Sequence, residues 1–183
     1  LQGCHMAIKN AQTNTATQNQ ITKPVFIDGS ALTIPTLSIL QADGSLTKSA
    51  MAPEISQELA EKIYSDMVFT RILDQRMVGA QRQGRLSFYL TCTGEEASVA
   101  GTIAAFKQDD MVMGQYREQV ALRFRGFTTE QFMNQLFSNA KDLGKGRQMP
   151  VHYGCRDLHF MTIRSPLATQ IPQAAGYAYG QKL

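Results

Sequence analysis

The feature that most constrains the fold is a long helical repeat of apolar residues that starts near Pro53. Four apolar side chains recur at every fourth position and share one helix face: Ile55, Leu59, Ile63 and Met67. The pattern continues to Ala80 and ends near Gly84, while the charged residues between fall on the opposite, solvated face. A helix of this length needs other elements to cover its apolar side, so the chain is expected to build a helix-based core.

The segments that follow alternate between helices and short apolar runs. Leu86–Leu90 and Met111–Met113 have the composition of short strands, and residues 95–106 form a helical pattern rich in Ala and Gly. Thr128 and Gln131 have the spacing of a capping box, which marks the start of another helix. This alternation predicts an α/β fold in which helix dominates.

The beginning of the chain differs in composition from the rest. Hydrophobic residues make up 43% of the sequence and charged residues 18%, as in a globular protein, but residues 1–25 are rich in Asn, Gln and Thr. We predict a disordered tail and extended arm over residues 1–50, and a domain over residues 51–183. Because Leu183 lies inside a helical pattern without a stop signal, we expect this domain to be truncated.

Several classes of function are disfavoured. The net charge of +3 is too small to predict binding to nucleic acid or membranes. The three cysteines are far apart and predict reduced thiols, with no disulfide framework or zinc site. Gly144–Arg147 superficially resembles a phosphate loop, but Lys145 is followed by Gly146 and not by the Ser or Thr of a Walker A motif.

Two polar clusters remain as candidates for chemistry. Gly114–Glu118 directly follows an apolar run, where α/β sheets place ligands, although an Arg117–Glu118 surface pair at an ordinary helix start is the better explanation from spacing alone. Arg164–Gln170 precedes the last helical pattern and offers oxygen groups at a helix start, although helix capping by Ser165 is the simpler explanation. Spacing alone therefore favours a structural role for both clusters.

Four blocks of sequence resemble one known family. They are QRQGRLSFY at 81–89, GQYRE at 114–118, DLGKGRQMPVHYG at 142–154 and SPLATQIPQ at 165–173. Together they resemble the α subunit of branched-chain 2-oxo acid dehydrogenase, in the same order and over roughly residues 50–183. Four ordered blocks are far more specific than any single motif.

The resemblance implies the thiamine diphosphate-binding fold, with a β subunit completing a heterotetramer of two α and two β chains. It implies oxidative decarboxylation of branched-chain 2-oxo acids and transfer of the acyl group to a lipoyl arm on an acyltransferase core. By position, Gln115, Tyr116 and Arg117 would approach the diphosphate, Ser165 would reach the cofactor, and the Leu167 backbone would hold the aminopyrimidine. It assigns the main proton transfer to the β subunit, so no catalytic residue is assigned to this chain.

The same resemblance implies two metal ions. Pro166, Thr169 and Gln170 match the positions that bind potassium, but Arg164 stands where the family has a serine. Either Arg164 turns outward and only its carbonyl is used, or its charge replaces the ion. Magnesium would be held by a G-D-G or G-E-G motif with a later Asn, and this sequence has neither form of the motif.

Other interpretations stay open at this stage. A sister α subunit acting on pyruvate or acetoin would share the Tyr-Arg pair. A truncated, inactive chain would only pair with a β subunit through its small-residue helices. His152 is a candidate to face the substrate, against a structural role in its loop. The expected location is the bacterial cytoplasm, or the mitochondrial matrix in a eukaryote.

Overall fold

The computed structural model describes residues 23–24, 26, 28–48 and 51–183. The chain divides into two units after Pro53, and each is described by itself. The predicted tail over residues 1–25 lies almost entirely outside the described residues. None of the helices within the described residues is both long and apolar enough to cross a membrane.

The described part of the first unit contains a short 3-10 helix and a small turn. The 3-10 helix spans Gly29–Ala31, and the Asp28 side chain accepts a hydrogen bond from the Ser30 amide at 3.0 Å. Leu40 and Leu46 then form an antiparallel bridge around a turn at residues 42–43, as the Ala-Asp-Gly-Ser sequence predicts. Most apolar side chains among the described residues of this unit are exposed, while Ile39 is partly buried.

The second unit is built on five helices. They are α1 (Gln57–Arg82), α2 (Glu96–Ala104), α3 (Gln119–Phe124), α4 (Thr129–Leu136) and α5 (Gln170–Lys182). Helices α1, α2 and α3 pack on one another. A second 3-10 helix, Arg156–Leu158, interrupts the long segment between α4 and α5. Helix dominates as predicted, but within the described residues strand pairing is limited to isolated bridges.

Both ends of α1 have a local cause. The helix starts at Gln57, later than predicted from Pro53, because the Ser56 hydroxyl accepts a hydrogen bond from the Leu59 amide at 3.1 Å. It ends at Arg82, close to Gly84 as predicted, and the φ of +71° at Gly84 permits the left-handed turn of a Schellman motif. The Arg85 amide then donates to the Ala80 carbonyl at 2.9 Å, which completes that motif.

The core is centred on aromatic rings. Phe132 is fully buried and meets Phe127 and Tyr153 edge to face, with ring centroids 4.8 and 5.1 Å apart. Phe69 of α1 packs on the same ring at 5.9 Å. These contacts join α1 and α4 to the long irregular segment that follows α4. Thr128 and Gln131 form the predicted capping box at the start of α4.

The predicted strand at Leu86–Leu90 is wrong. Leu86 and Tyr89 are buried, but within the described residues the segment pairs with no strand. Side chains contact its C-terminal end instead: the Leu90 carbonyl accepts from Gln119 at 2.9 Å, and the carbonyl of the next residue, Thr91, accepts from Arg117. A buried extended segment needs such partners, and here they come from the motif that carries the candidate site.

The run Met111–Met113 does make a strand-like pairing. The Val112 amide donates to the His159 carbonyl at 2.8 Å, and its carbonyl accepts from Met161 at 2.9 Å. Phe160 also pairs in the antiparallel direction with Cys155. The two candidate polar clusters directly follow these neighbouring segments, so the pairing places them at one end of the unit.

Candidate functional site

The first cluster begins at Gly114, where other side chains pack closely against the backbone. A Cβ atom there would lie 2.6 Å from Glu118 Oε2 and 2.8 Å from the Phe160 ring, so no larger residue fits without displacement. The Glu118 carboxylate accepts a hydrogen bond from the Gln115 amide at 2.9 Å. This contact folds the motif back on itself and fixes the backbone that carries Gln115, Tyr116 and Arg117.

Arg117 is held by its neighbours and does not pair with Glu118. Its Nη1 donates to the Thr91 carbonyl, and its guanidinium lies 5.7 Å from the centroid of the Tyr116 ring. Within residues 51–183 this is the one hydrogen bond recorded for the guanidinium, so its other donors are available. The Arg117–Glu118 surface pair considered from the sequence does not form.

In the second cluster, Ser165 contacts a histidine and does not cap a helix. The His152 Nε2 lies 2.5 Å from the Ser165 hydroxyl, and its Nδ1 lies 3.0 Å from the Pro150 carbonyl. Since a carbonyl only accepts, the neutral ring carries its proton on Nδ1, and Ser165 donates to Nε2. Helix α5 starts later, at Gln170, after an N-cap Thr169 whose side chain makes no capping bond.

Gln115 joins the two clusters. Its side-chain amide nitrogen lies 3.4 Å from the Arg164 carbonyl, and its oxygen accepts from Gln170 Nε2 at 2.7 Å. These partners are 49 and 55 positions away in the sequence. The structure therefore brings the two polar clusters into one site, although their spacing alone did not require it.

The loop Pro166–Thr169 leads from this contact into α5. Its Thr169 hydroxyl donates to the Pro166 carbonyl at 2.8 Å, and the Leu167 side chain is 73% exposed. The Arg164 guanidinium lies 3.5 Å from Gln148 Oε1, while its carbonyl faces Gln115. The guanidinium of Arg164 is thus directed to Gln148, while its carbonyl is contacted by Gln115.

Backbone strain is found beside the residues of this site. Val151 has a φ of +65° directly before His152, and Ala168 has a φ of +62° between Leu167 and Thr169. Positive φ is unfavourable for residues other than glycine, and most of all for a β-branched one. Such strain persists only where the surroundings impose it, and it is concentrated at functional sites. At Val151, the backbone amide donates to the Gln135 side-chain oxygen at 3.1 Å, and this contact helps to hold the strained conformation.

A cavity of about 860 Å³ lies between α2, residues 111–113 and α5. Its charged lining is acidic: Glu95, Asp110 and Glu118. Burial, with a smaller contribution from Glu95, raises the pKa of the Glu118 carboxyl above its usual value. Of the residues proposed for binding, only Gln170 lines this cavity, so the cavity and the site around Arg117 are adjacent but not the same.

No cluster in the described residues is arranged as a metal centre of acidic, His and Cys ligands. Groups of three or more such side chains placed around one point are absent from residues 23–48 and 51–183 as described. Cys92 and Cys155 are buried free thiols. A potassium site built from Pro166, Thr169 and Gln170 would use carbonyl, hydroxyl and amide oxygens instead of acidic, His or Cys side chains.

Most of the chain, including the joined site, matches one family of known proteins. The family model described as "Dehydrogenase E1 component" matches residues 64–183, which contain both polar clusters. The chain belongs to this family, whose members depend on thiamine diphosphate. The identification as a member of the E1 dehydrogenases made from the sequence is confirmed.

Individual relatives agree with this class. The chain is 47% identical over 163 residues to "2-oxoisovalerate dehydrogenase subunit alpha, mitochondrial" of Bos taurus, covering 88% of this chain and 36% of that protein. It is 45% identical over 163 residues to the protein of that name in Homo sapiens, covering 88% and 37%. The first α subunit of Arabidopsis thaliana is 47% identical over 156 residues, covering 85% and 33%. The chain spans about a third of the length of these relatives.

Sequence reasoning did not find every residue that builds the site. It treated His152 as a loosely held candidate, and it gave Glu118 only a surface role. The carbonyl of Thr91 was not considered, because a backbone acceptor leaves no signal in residue type. A usable signal existed for Glu118, since a Glu three positions after Gln115 has the spacing at which its side chain can reach back to a backbone amide.

Proposed function

We propose that this chain forms the N-terminal part of the α subunit of a thiamine diphosphate-dependent dehydrogenase acting on branched-chain 2-oxo acids. The observation that carries the proposal is the contact of Gln115 with both Arg164 and Gln170. It unites the GQYRE and SPLATQ motifs, which the family resemblance assigns to one cofactor, in a single polar site.

The residues present fit a diphosphate group. Arg117 is half-buried and has donors left over after its contact with Thr91, and a guanidinium fork matches phosphate oxygens. Gln115 lies beside it, and the Tyr116 ring packs under the guanidinium. We assign Arg117 to the negative charge of the diphosphate, with Gln115 and Tyr116 completing that side of the site.

The second cluster would hold the other part of the cofactor. Because Ser165 donates its proton to His152, its oxygen lone pairs are left to accept a hydrogen bond from a ligand. The exposed loop at Leu167 presents its backbone in the strained turn before Thr169. When bound, thiamine diphosphate supplies the nucleophilic carbon and the electron-accepting ring that decarboxylation of a 2-oxo acid requires.

The two metal ions are proposed with different support. Potassium would use oxygens of Pro166, Thr169 and Gln170, and the guanidinium of Arg164, held at Gln148, would not occupy that position. Magnesium accompanies the diphosphate in this proposal, held by residues outside this sequence. Each ion is open to direct test by measuring cofactor affinity with that ion omitted.

The proposed partners follow from the class of enzyme. They are a β subunit in a heterotetramer of two α and two β chains, and a lipoyl-bearing acyltransferase core that receives the acyl group. The substrate class follows from the relatives, whose names specify 2-oxoisovalerate. Since those relatives are mitochondrial by name, we propose the mitochondrial matrix for a eukaryotic source and the cytoplasm for a bacterial one.

The role of Arg117 can be tested in the complete α subunit assembled with its β partner. Arg117→Ala should weaken thiamine diphosphate binding by about 2 kcal/mol, or roughly 30-fold, through loss of a charge-assisted contact. Arg117→Lys should have an intermediate affinity for thiamine diphosphate, because it keeps the positive charge and loses the paired donors of the guanidinium. The readout is the dissociation constant from calorimetric titration in the presence of magnesium.

A matched control is Arg123→Ala. Arg123 lies in the next helix, 3.3 Å from Asp66 and stacked on Phe69, so it is structural. Its loss should reduce stability and leave the dissociation constant of folded protein unchanged. Equal effects of the two substitutions on cofactor binding would contradict the assigned site. Comparing kcat/KM for 2-oxoisovalerate and pyruvate separates the branched-chain proposal from the sister enzyme.

A further inference from the structure

The segment that supports Arg117 is itself held by one buried carboxylate. Asp74 of α1 is 1% exposed and lies behind residues 89–92. Its Oδ1 accepts the Tyr89 hydroxyl at 2.7 Å, and its Oδ2 accepts the Cys92 amide at 2.8 Å. The Cys92 thiol lies 3.4 Å from the same oxygen. Both ends of a four-residue segment are thus fixed to a single side chain.

The middle of that segment faces the cofactor motif. The Leu90 carbonyl accepts from Gln119 Nε2 at 2.9 Å, and the Thr91 carbonyl accepts from Arg117 Nη1. A carbonyl can orient a guanidinium only if its own backbone is fixed. Here the segment is fixed by its two hydrogen bonds to Asp74 and by the Glu95 amide, which donates to the Cys92 carbonyl at 3.0 Å. Within the described part of the chain, no strand pairs with it.

We propose that Asp74 is a positioning residue for cofactor binding, acting through residues 89–92 to orient the Arg117 guanidinium. The inference rests on the proposed function, because it requires Arg117 to meet the diphosphate. It adds a residue of α1, 43 positions before Arg117 and outside all four motif blocks, to the set that determines affinity.

Burying the Asp74 carboxylate disfavours folding, so stability alone does not account for this residue. Asp74 forms no ion pair within residues 51–183 as described, and burial raises its pKa despite the hydrogen bonds from Tyr89 and Cys92. Burial likewise raises the pKa of both Tyr89 and Cys92, so these donors keep their protons. A carboxylate accepts all three donors at once, which a neutral side chain of the same size does not.

The test is a double-mutant cycle in the complete α subunit assembled with its β partner. Asp74→Asn keeps the size of the side chain and replaces one acceptor oxygen by a donor. It should raise the dissociation constant for thiamine diphosphate about three- to tenfold, as expected for losing one hydrogen bond that orders the site. Tyr89→Phe is a milder second variant that removes a single hydrogen bond and should act in the same direction.

The decisive measurement repeats both substitutions in the Arg117→Ala background. If Asp74 acts through Arg117, they should there change the dissociation constant by less than about twofold. Thr70→Val is the matched control, since Thr70 is fully buried one turn earlier on α1 and loses its 2.7 Å bond to the Asp66 carbonyl. It should lower stability and leave cofactor affinity unchanged.

The outcomes separate the two proposals. Equal effects of Asp74→Asn with and without Arg117, or a Thr70→Val effect of the same size, would show general destabilisation and overturn the positioning role. The same holds if folded Asp74→Asn and Tyr89→Phe proteins bind normally. An unchanged affinity in Arg117→Ala itself would instead contradict the proposed function, and the positioning role with it.

Discussion

Gly154 lies where two backbone segments come closest, so adding a single methyl group there should be strongly destabilising. Residues 153–155 run beside 160–163, with the Ile163 amide donating to the Tyr153 carbonyl at 3.0 Å. A Cβ atom at Gly154 would lie 2.3 Å from Thr162 Oγ1, 2.8 Å from its Cα and 3.0 Å from its Cβ. Gly154 is not among the residues with positive φ, so the obstacle is steric and not conformational.

The size of the effect follows from which atoms collide. A side-chain oxygen can rotate away, but the Thr162 Cα moves only if the two segments separate. Overpacking usually costs about 1–3 kcal/mol, and a backbone collision places Gly154→Ala near the upper end, at about 3 kcal/mol. That is a large part of the total stability of a domain, which is typically about 5–15 kcal/mol.

The assay is urea unfolding followed by far-ultraviolet circular dichroism, which suits a helix-rich protein without tryptophan. The matched control is Gly101→Ala in α2, where nothing lies within 4 Å of the added methyl group. Both substitutions restrict the unfolded chain equally, so the control should gain about 0.5–1 kcal/mol. A Gly154→Ala protein within about 0.5 kcal/mol of the wild type would refute the argument.

Three further substitutions test individual contacts by urea titration. Burial raises the pKa of the Glu118 carboxyl, so this group contributes favourably to folding stability at acid pH and loses that contribution as the pH rises through its raised pKa. Glu118→Gln should therefore be more stable than wild type at neutral pH, and this advantage should vanish below about pH 4. Thr128→Ala should lose about 1 kcal/mol through the capping box, while exposed Thr129→Ala should change stability by less than about 0.5 kcal/mol. Among the described residues the buried Tyr153 hydroxyl has no hydrogen-bond partner, so Tyr153→Phe should raise the free energy of unfolding by about 1 kcal/mol, and a decrease would indicate a bridging water.

Local chemistry made two helix ends predictable. The end of α1 just before Gly84 and the start of α4 after its N-cap Thr128 follow from glycine conformation and side-chain capping, which depend on neighbouring residues. The start of α1 was misplaced because Pro53 and Ser56 are both acceptable first-turn signals. Only the hydrogen bond from Leu59 to Ser56 decides between them.

The strand at Leu86–Leu90 failed for a different reason. Its apolar composition shows that the segment is buried, but composition does not say which groups satisfy its backbone. Asp74, Arg117 and Gln119 do so from helices and loops distant in sequence. The site was likewise predictable only in part. Residue types identified its two clusters, but the contact of Gln115 with Gln170 depends on tertiary structure.

Helix α5 has a consequence for the energetics of ligand binding. None of its residues is buried, and it contains Gly176 and Gly180. A helix of this length with no buried residue is marginal in water, so in this chain alone its amides should exchange with solvent far faster than those of α1. Because its first residue is Gln170, a ligand that strengthens the Gln115–Gln170 contact also favours ordering of the start of this helix. Part of the binding free energy is then used for folding, and a partner chain that pre-orders α5 would raise ligand affinity without touching the ligand.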